Sequence, residues 1–197
     1  ILRRFLPNYV LAMEQSEGGA SAKLARRLAR IEPARALDLG GGSGGLLVAL
    51  LELLPKARGT LVEHAFSLAR ANELVSRSPA RERIALLAQD FEKEAIPTGH
   101  DLIVLSRVLM GMAPERARRL IERAAGALEA GGALVVHEFD SETRVGALLS
   151  LDMLLHTGGA AHPRAELEAW LAGAGLALES SRRLLPYTRV SISRKAH

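Results

Sequence analysis

The sequence predicts an α/β protein whose parallel sheet ends in an antiparallel hairpin. A strand-like run at residues 35–39 passes through a glycine-rich turn into a helix, and further apolar runs then alternate with amphipathic segments. Two strand-like runs follow at 176–181 and 188–193, and no helix fits between them, so they must pair antiparallel. The 197 residues, 48% of them hydrophobic, are enough for one domain with a sizeable core.

The first strand, turn and helix carry the strongest functional signal. Glycines stand at positions 40, 42 and 44, and the amphipathic helix behind them extends to about Leu54. Such glycines let a ligand approach main-chain N–H groups closely. The N-terminus of the helix favours an anionic or carboxylate-bearing ligand. The turn therefore predicts a nucleotide-type cofactor site.

The remaining elements follow from shorter runs. We predict strands at 58–63, 84–88, 101–106 and 133–138, and helices at 20–31, at 67–76, from Pro114, at 144–155 and at 163–173. We expect Gly131 and Gly132 to cap the helix that starts at Pro114. With no second domain visible, residues 1–30 are interpreted as an N-terminal helical entry segment and residues 31–197 as the cofactor-binding domain.

Composition narrows the function classes. The net charge of +4 comes from basic residues interleaved with glutamates on helix faces, and aromatic residues make up only 4%, so we expect no nucleic-acid partner. The absence of cysteine excludes disulfides, a thiolate nucleophile and thiolate metal ligands, and we predict no metal site. No apolar run reaches membrane-spanning length and no signal peptide is visible, so we expect a cytoplasmic protein without a membrane partner.

The glycine spacing by itself leaves three interpretations open. Gly40, Gly42 and Gly45 satisfy the GxGxxG dinucleotide fingerprint, whereas Asp38 and glycines 40, 42 and 44 satisfy the D-x-G-x-G-x-G pattern of S-adenosylmethionine (SAM) methyltransferases. A cluster of this kind can also be only a tight turn. Glu63 ends the next apolar run and would accept hydrogen bonds from ribose hydroxyls with either cofactor. The C-terminal hairpin favours the methyltransferase arrangement over a dinucleotide-binding sheet.

Taken in order along the chain, these motifs resemble the C-terminal catalytic domain of the class I SAM-dependent small-molecule O-methyltransferases, the caffeate and hydroxyindole O-methyltransferase group. The resemblance extends from Met13 to Gly175 and includes the turn before the catalytic segment, Leu105 to Leu109. It implies a Rossmann-like seven-stranded sheet with SAM as cofactor. The cofactor-binding residues that it implies are Asp38, Gly40, Gly42, Gly44, Glu63, Asp90, Phe91 and Ser106.

Two departures from the family pattern affect the chemistry. The family has a His-Asp-Trp run whose His removes the substrate proton, and this chain has Met110, Gly111 and Met112 there. The family's second acid, which orients that His, is replaced by Ala161, so that only Glu138 remains of the polar trio. A thioether cannot act as a general base at pH 7.

We therefore expect SAM-dependent methyl transfer to an oxygen of a small aromatic or polyketide-like acceptor, with Glu138 and His156 as catalytic candidates. The expected substrate-binding residues are Met13, Met110, Met153 and His156. The alternative is a SAM-binding homologue that performs another tailoring reaction or only binds ligand. An RNA or protein methyltransferase and a nicotinamide-dependent oxidoreductase are less favoured. We also expect a homodimer, formed through a segment preceding Ile1. A helix within residues 1–17 is expected to expose apolar side chains that contact this segment or a second subunit.

Overall fold

A computed structural model describes residues 19–196, which fall into two compact units divided between Ala95 and Ile96. The helix expected within residues 1–17, and Met13 with it, lies outside the described residues. No helix in the described range is both long and apolar enough to cross a membrane.

The N-terminal unit is built on three parallel strands in the order β3-β2-β1. Leucines of the first two helices supply much of its core, because Leu24, Leu28, Leu47 and Leu50 are each no more than 1% exposed. The guanidinium of Arg83 donates to the carbonyls of residues 51, 54 and 57 and so satisfies the end of the second helix. The elements are α1 Ala20–Leu28, β1 Arg35–Leu39, α2 Gly45–Leu53, β2 Arg58–Glu63, α3 Ala65–Ser76 and β3 Ile84–Ala88.

The C-terminal unit contains four strands in the order β4-β5-β7-β6. Strand β5 pairs parallel with β4 and antiparallel with β7, and β7 pairs antiparallel with β6. Residues 102–105 are almost fully buried, as expected for an apolar strand covered on both faces. The elements are β4 His100–Ser106, α4 Pro114–Ala127, β5 Leu128–Phe139, α5 Arg144–Thr157, α6 Arg164–Gly173, β6 Leu176–Leu185 and β7 Thr188–Lys195.

A buried carboxylate joins the end of β5 to the tip of the β6–β7 hairpin. Asp140 Oδ2 accepts hydrogen bonds from Arg183 Nε at 2.8 Å and from a terminal nitrogen of Arg189 at 3.0 Å. Burial works to raise the pKa of Asp140, but the hydrogen bond from Arg183 and the charge of Arg189 outweigh it and hold the pKa below its ordinary value. Asp140 therefore stays ionised and fixes the turn that leads into α5.

The predicted fold class is confirmed: the chain has a seven-stranded mixed sheet, parallel apart from its C-terminal hairpin, with flanking helices. The prediction that Gly131 and Gly132 cap the helix starting at Pro114 is wrong, since both lie inside β5 and not at a helix end. They accompany a shift in the β4–β5 register, and a side chain at Gly132 would meet the backbone of Glu129 and Asp101. Helix α4 instead ends at Ala127, where Lys195 Nζ donates to the carbonyls of residues 125 and 128.

The hairpin connection is also shorter than predicted. Only Pro186 and Tyr187 separate β6 from β7, whereas the predicted runs left residues 182–187 between the two strands. Polar and basic residues extend both strands past the apolar runs. They belong to the strands because the backbone pairing of β6 with β7 continues as far as Leu185 and Thr188. Strand pairing here follows main-chain hydrogen bonding and not side-chain hydrophobicity.

Candidate functional site

The glycine turn of the N-terminal unit lies between β1 and α2. Gly44 N–H donates to the Gly41 carbonyl at 2.9 Å and closes the turn, and Gly40 N–H donates to the Val62 carbonyl at 2.8 Å. A side chain at Gly41 would collide with the carboxyl group of Asp38, so the turn can pass over Asp38 only as glycine. Gly42 has φ +57°, and a Cβ there would meet nothing within 4 Å. The turn is therefore close-packed against Asp38 and open at Gly42.

Glu63 lies directly against this turn. Its carboxylate accepts hydrogen bonds from Gly42 N–H at 3.1 Å and from His64 N–H at 2.7 Å, and the residue is 7% exposed. The parallel pairing of β1 with β2 produces this contact because it places the C-terminal ends of both strands at one edge of the sheet. The structure thus brings together the predicted acid and the predicted glycines.

Aromatic rings cluster next to Glu63. The His64 ring lies 5.1 Å from the Phe91 ring and 5.7 Å from the Phe66 ring, centroid to centroid. Phe91 is buried and Phe66 is more than half exposed. Phe91 is among the cofactor-binding residues predicted from the sequence, whereas His64 and Phe66 are not. The available signal was the position of two aromatic rings immediately after a strand-ending acid, in a chain where aromatic residues are scarce.

Asp90 occupies the end of the segment that follows β3. Its carboxylate pairs with Lys93 Nζ at 2.8 Å, and this hydrogen bond is the main reason that the pKa of Asp90 lies below its ordinary value. The Glu92 N–H also donates to this carboxylate. Asp90 is therefore an ionised acceptor adjoining Phe91.

In the C-terminal unit, Ser106 ends β4 and pairs with a buried histidine. The Ser106 hydroxyl lies 2.9 Å from His137 Nδ1, because the two residues are register partners on β4 and β5. Burial, followed by the charge of Arg107, lowers the pKa of His137 to about 4, so its ring is neutral at pH 7. The predicted cofactor residue Ser106 therefore has its hydroxyl oriented by a neutral imidazole.

The segment that we expect to stand in place of the family's His-Asp-Trp run folds as a 3₁₀ turn, Leu109–Gly111. Met110 is only 2% exposed, so its thioether is enclosed. Glu138 Oε1 accepts a hydrogen bond from Leu109 N–H at 2.8 Å. Burial raises the pKa of Glu138 to about 8, although the amides of Leu109, Met110 and Val108 act in the opposite direction. Glu138 is therefore largely protonated at pH 7.

The loop after α5 packs against the same turn. A side chain at Gly159 would collide with the backbone of residues 110–112. His162 Nε2 lies 3.0 Å from the Leu109 carbonyl, and its ring makes an edge contact with Trp170. Ala161, at the position of the family's second acid, is buried and donates its N–H to Ser150 Oγ. The loop thus contacts the turn through its backbone and through His162, without a carboxylate.

The two remaining substrate candidates lie on α5 with different exposure. Met153 is 6% exposed, whereas the His156 side chain is 70% exposed and its Nδ1 lies 3.2 Å from the Asp152 carboxylate. Met153 is therefore enclosed like Met110, and His156 faces outward from the described residues. A small cleft, open to solvent, adjoins Glu138 and His162. Its lining residues are Val136, Glu138, Phe139, Asp140, Ser141, His162, Arg164, Leu167, Arg189 and Ser191.

Comparison with known proteins decides the family. The model of the O-methyltransferase domain family matches residues 9–177. The chain belongs to the O-methyltransferase domain family. One similar relative of this domain is 3-hydroxy-5-methyl-1-naphthoate 3-O-methyltransferase of Streptomyces sahachiroi, 33% identical over 72% of this chain and 42% of the relative. Another is aclacinomycin 10-hydroxylase of Streptomyces purpurascens, 37% identical over 74% of this chain and 40% of the relative.

Solved structures agree with this assignment. The mitomycin 7-O-methyltransferase matches with a TM-score of 0.86 and 29% identity, over 95% of this chain and 56% of that protein. An O-methyltransferase from neocarzinostatin biosynthesis, solved with S-adenosyl-L-homocysteine and 1,4-dihydroxy-2-naphthoic acid, matches with a TM-score of 0.75 and 29% identity, over 83% and 49% of the two chains. The present chain spans less than half the length of the curated relatives named above.

Glu138→Gln is expected to change how stability depends on pH. Because folding raises the pKa of Glu138 from 4.5 to about 8, the folded state holds a proton that the unfolded state releases. The stabilisation is complete below pH 4.5 and is lost as the pH rises towards 8. The free energy of unfolding of the wild type should therefore fall relative to Glu138→Gln between pH 5 and 8, by at most about 1.4 kcal/mol per pH unit. Urea unfolding of both proteins at several pH values measures this difference in the free energy of unfolding.

The exposed substitution Glu115→Gln is the control for a change of glutamate to glutamine elsewhere in the same unit. A difference between Glu138→Gln and the wild type that stays constant from pH 5 to 8 would contradict the raised pKa.

Proposed function

We propose that this chain binds SAM and transfers its methyl group to an oxygen of a small aromatic or polyketide-like acceptor. The observation that carries the proposal is the contact of Glu63 with the open glycine turn, 3.1 Å from carboxylate to Gly42 N–H. Membership of the O-methyltransferase domain family supports it.

The residues around the turn fit the cofactor. The open space at Gly42 leaves room for a ligand against the main chain, and Glu63 offers carboxylate oxygens to ribose hydroxyls. The aromatic cluster of His64, Phe66 and Phe91 offers faces for an adenine ring. The bound cofactor supplies the electrophilic methyl group. The residues that we propose to hold it are Asp38, Gly40, Gly42, Gly44, Glu63, Asp90, Phe91 and Ser106.

A flat apolar acceptor fits the C-terminal unit. Met110, Met112 and Met153 are all buried, and their polarisable thioethers suit contact with an aromatic ring. One relative is named for a naphthoate substrate, and a structural neighbour holds 1,4-dihydroxy-2-naphthoic acid. We therefore propose a naphthoate-like or polyketide-like phenol as the acceptor class, with Met110, Met153, His156 and Met13 as its binding residues.

The chemistry must proceed without the family's histidine base. Met110 cannot take a proton, and Glu138, with its raised pKa, is mostly protonated below about pH 8. We infer that alignment of the methyl group with an already ionised or easily ionised phenol supplies most of the acceleration. Glu138 and His156 remain the proposed groups that exchange a proton with the acceptor.

The alternative is a SAM-binding protein that does not transfer methyl groups. Met110 and Ala161 motivate it, and one relative is named as a hydroxylase. Tight cofactor binding without methyl transfer to any phenol would favour this alternative. The cytoplasmic location stays a prediction.

Helix α5 supports the proposed homodimer. Its apolar side chains are exposed, with Leu148 at 69% and Leu155 at 74%. Contiguous exposed leucines of this kind are typical of an interaction surface. We propose a second copy of the protein as the occupant of this face.

Glu63→Ala is expected to weaken SAM and S-adenosyl-L-homocysteine binding by roughly 1–3 kcal/mol, because it removes hydrogen-bond acceptors for the ribose. Calorimetric titration measures the change. Glu73→Ala, which removes an exposed carboxylate paired with Arg70 in the same unit, is the matched control and should bind like the wild type. Tight NAD binding by a wild type with no affinity for S-adenosyl-L-homocysteine would refute the cofactor assignment.

His156→Ala tests the proposed proton acceptor. We expect wild-type protein to methylate 1,4-dihydroxy-2-naphthoic acid, and we expect His156→Ala to lower the rate and change the pH–rate profile. Met110→Ala should alter the KM for the acceptor more than the profile. Superimposable profiles for the wild type and His156→Ala would remove His156 from the mechanism.

Leu148→Glu combined with Leu155→Glu should shift the protein towards monomers, because buried charges oppose association. Sedimentation equilibrium measures the shift. The exposed double substitution Arg118→Glu and Arg119→Glu on α4 is the control. A wild type that sediments as a monomer at all concentrations would exclude the dimer.

A further inference from the structure

The backbone of Leu109 is held on both sides by buried side chains. Glu138 Oε1 accepts its N–H at 2.8 Å, and His162 Nε2 lies 3.0 Å from its carbonyl oxygen. Glu138 is 2% exposed and His162 is 4% exposed, so water competes little with either contact. Leu109 begins the 3₁₀ turn and Met110 follows it directly. Whatever fixes Leu109 therefore also fixes where Met110 lies.

We propose that His162 is a positioning residue, which acts through the Leu109 carbonyl to hold the turn that carries Met110 on the acceptor side of the site. The proposal rests on the methyl transfer proposed above and adds to it a residue that the motif comparison does not assign. His162 does not itself exchange a proton with the acceptor in this role.

The direction of the hydrogen bond sets what His162 must be. A carbonyl oxygen can only accept, so Nε2 carries a proton and donates it. Burial lowers the pKa of His162, in spite of the Leu109 and Met112 carbonyls and the charge of Glu166, so the ring is neutral with its proton on Nε2. The edge contact with Trp170, 5.0 Å between centroids, holds the plane of the ring. The Nε2–H donor is thus held towards the Leu109 carbonyl.

The turn depends on this donor because its own hydrogen bonds are few. Met112 N–H donates to the same Leu109 carbonyl at 2.9 Å, and Gly111 N–H donates to the Val108 carbonyl at 3.2 Å. Gly159 limits how far the turn can move towards α5, but it contributes no side chain. Among the described contacts to Leu109, those of Glu138 and His162 are the ones that come from side chains.

The test compares three substitutions in the full chain. These are His162→Gln, His162→Asn and His162→Ala. A glutamine side chain places an N–H donor where Nε2 lies, an asparagine side chain is too short to do so, and an alanine side chain has no donor. Hydrogen exchange of the Gly111 and Met112 amides is measured in the presence of S-adenosyl-L-homocysteine. We expect exchange about tenfold faster in His162→Ala and His162→Asn, the effect of losing about 1.4 kcal/mol of hydrogen bonding, and within threefold of the wild type in His162→Gln. Exchange in β1–β3 should not change.

Leu167→Ala is the matched control, since it removes a buried side chain of α6 near the same cleft without touching Leu109. It should lower global stability without selectively loosening the turn. Equal turn exchange in the wild type and His162→Ala, or equal loosening in His162→Gln and His162→Ala, would overturn the proposal. If His162→Ala does not fold, the comparison of Gln with Asn decides.

Kinetics with SAM and 1,4-dihydroxy-2-naphthoic acid give the second readout. His162→Ala should lower kcat/KM for the acceptor about tenfold while leaving the KM for SAM unchanged, and His162→Gln should restore most of the activity. A pH–rate profile of His162→Gln that keeps the wild-type shape supports the positioning role of His162. A profile that loses one of its pH-dependent limbs would contradict that role. Absence of methyl transfer by the wild type would refute the proposed function, and the exchange experiment would still judge the role of His162.

Discussion

Burial of the Glu138 carboxyl group is the constraint on which the proposed acceptor side of the site depends. The end of β5 carries this side chain into an interior where ionisation is costly, and the amides of the 3₁₀ turn that follows β4 are its polar partners. A protonated carboxyl there can both accept from an amide and donate. The Glu138 carboxyl group is buried from water. The turn packs around it, together with the loop after α5 and the start of α6.

The sequence predicted the fold well because two of its signals are strong. The apolar run at residues 101–106 follows Pro97 and Gly99 and is short for a helix, so its length and flanking residues favour a buried strand. Gly131 and Gly132 were assigned wrongly, because a glycine pair after a helical run has the same local signature at a helix end and at a strand irregularity. Only the register with β4 distinguishes the two, and register depends on a distant part of the chain.

Prediction of the site was uneven for a similar reason. The glycine turn and Glu63 are tied together by strand pairing at one edge of a parallel sheet, so linear spacing was enough to join them. His162 could not be linked to Leu109 in that way, because 53 residues separate them and the contact depends on how the loop after Gly159 folds back. The contact of His162 with a backbone carbonyl of a distant turn leaves no residue-type pattern in the sequence.

Strand β7 has a consequence for synthesis of the protein. It lies between β5 and β6, so residues 188–195 pair on both sides although every other described strand precedes them in the chain. The sheet of the C-terminal unit cannot close until residues 188–195 have been synthesised. Until then β5, which contains Leu134, Val135 and Val136, keeps an open edge in the nascent chain. An unpaired apolar strand edge of this kind is prone to aggregation.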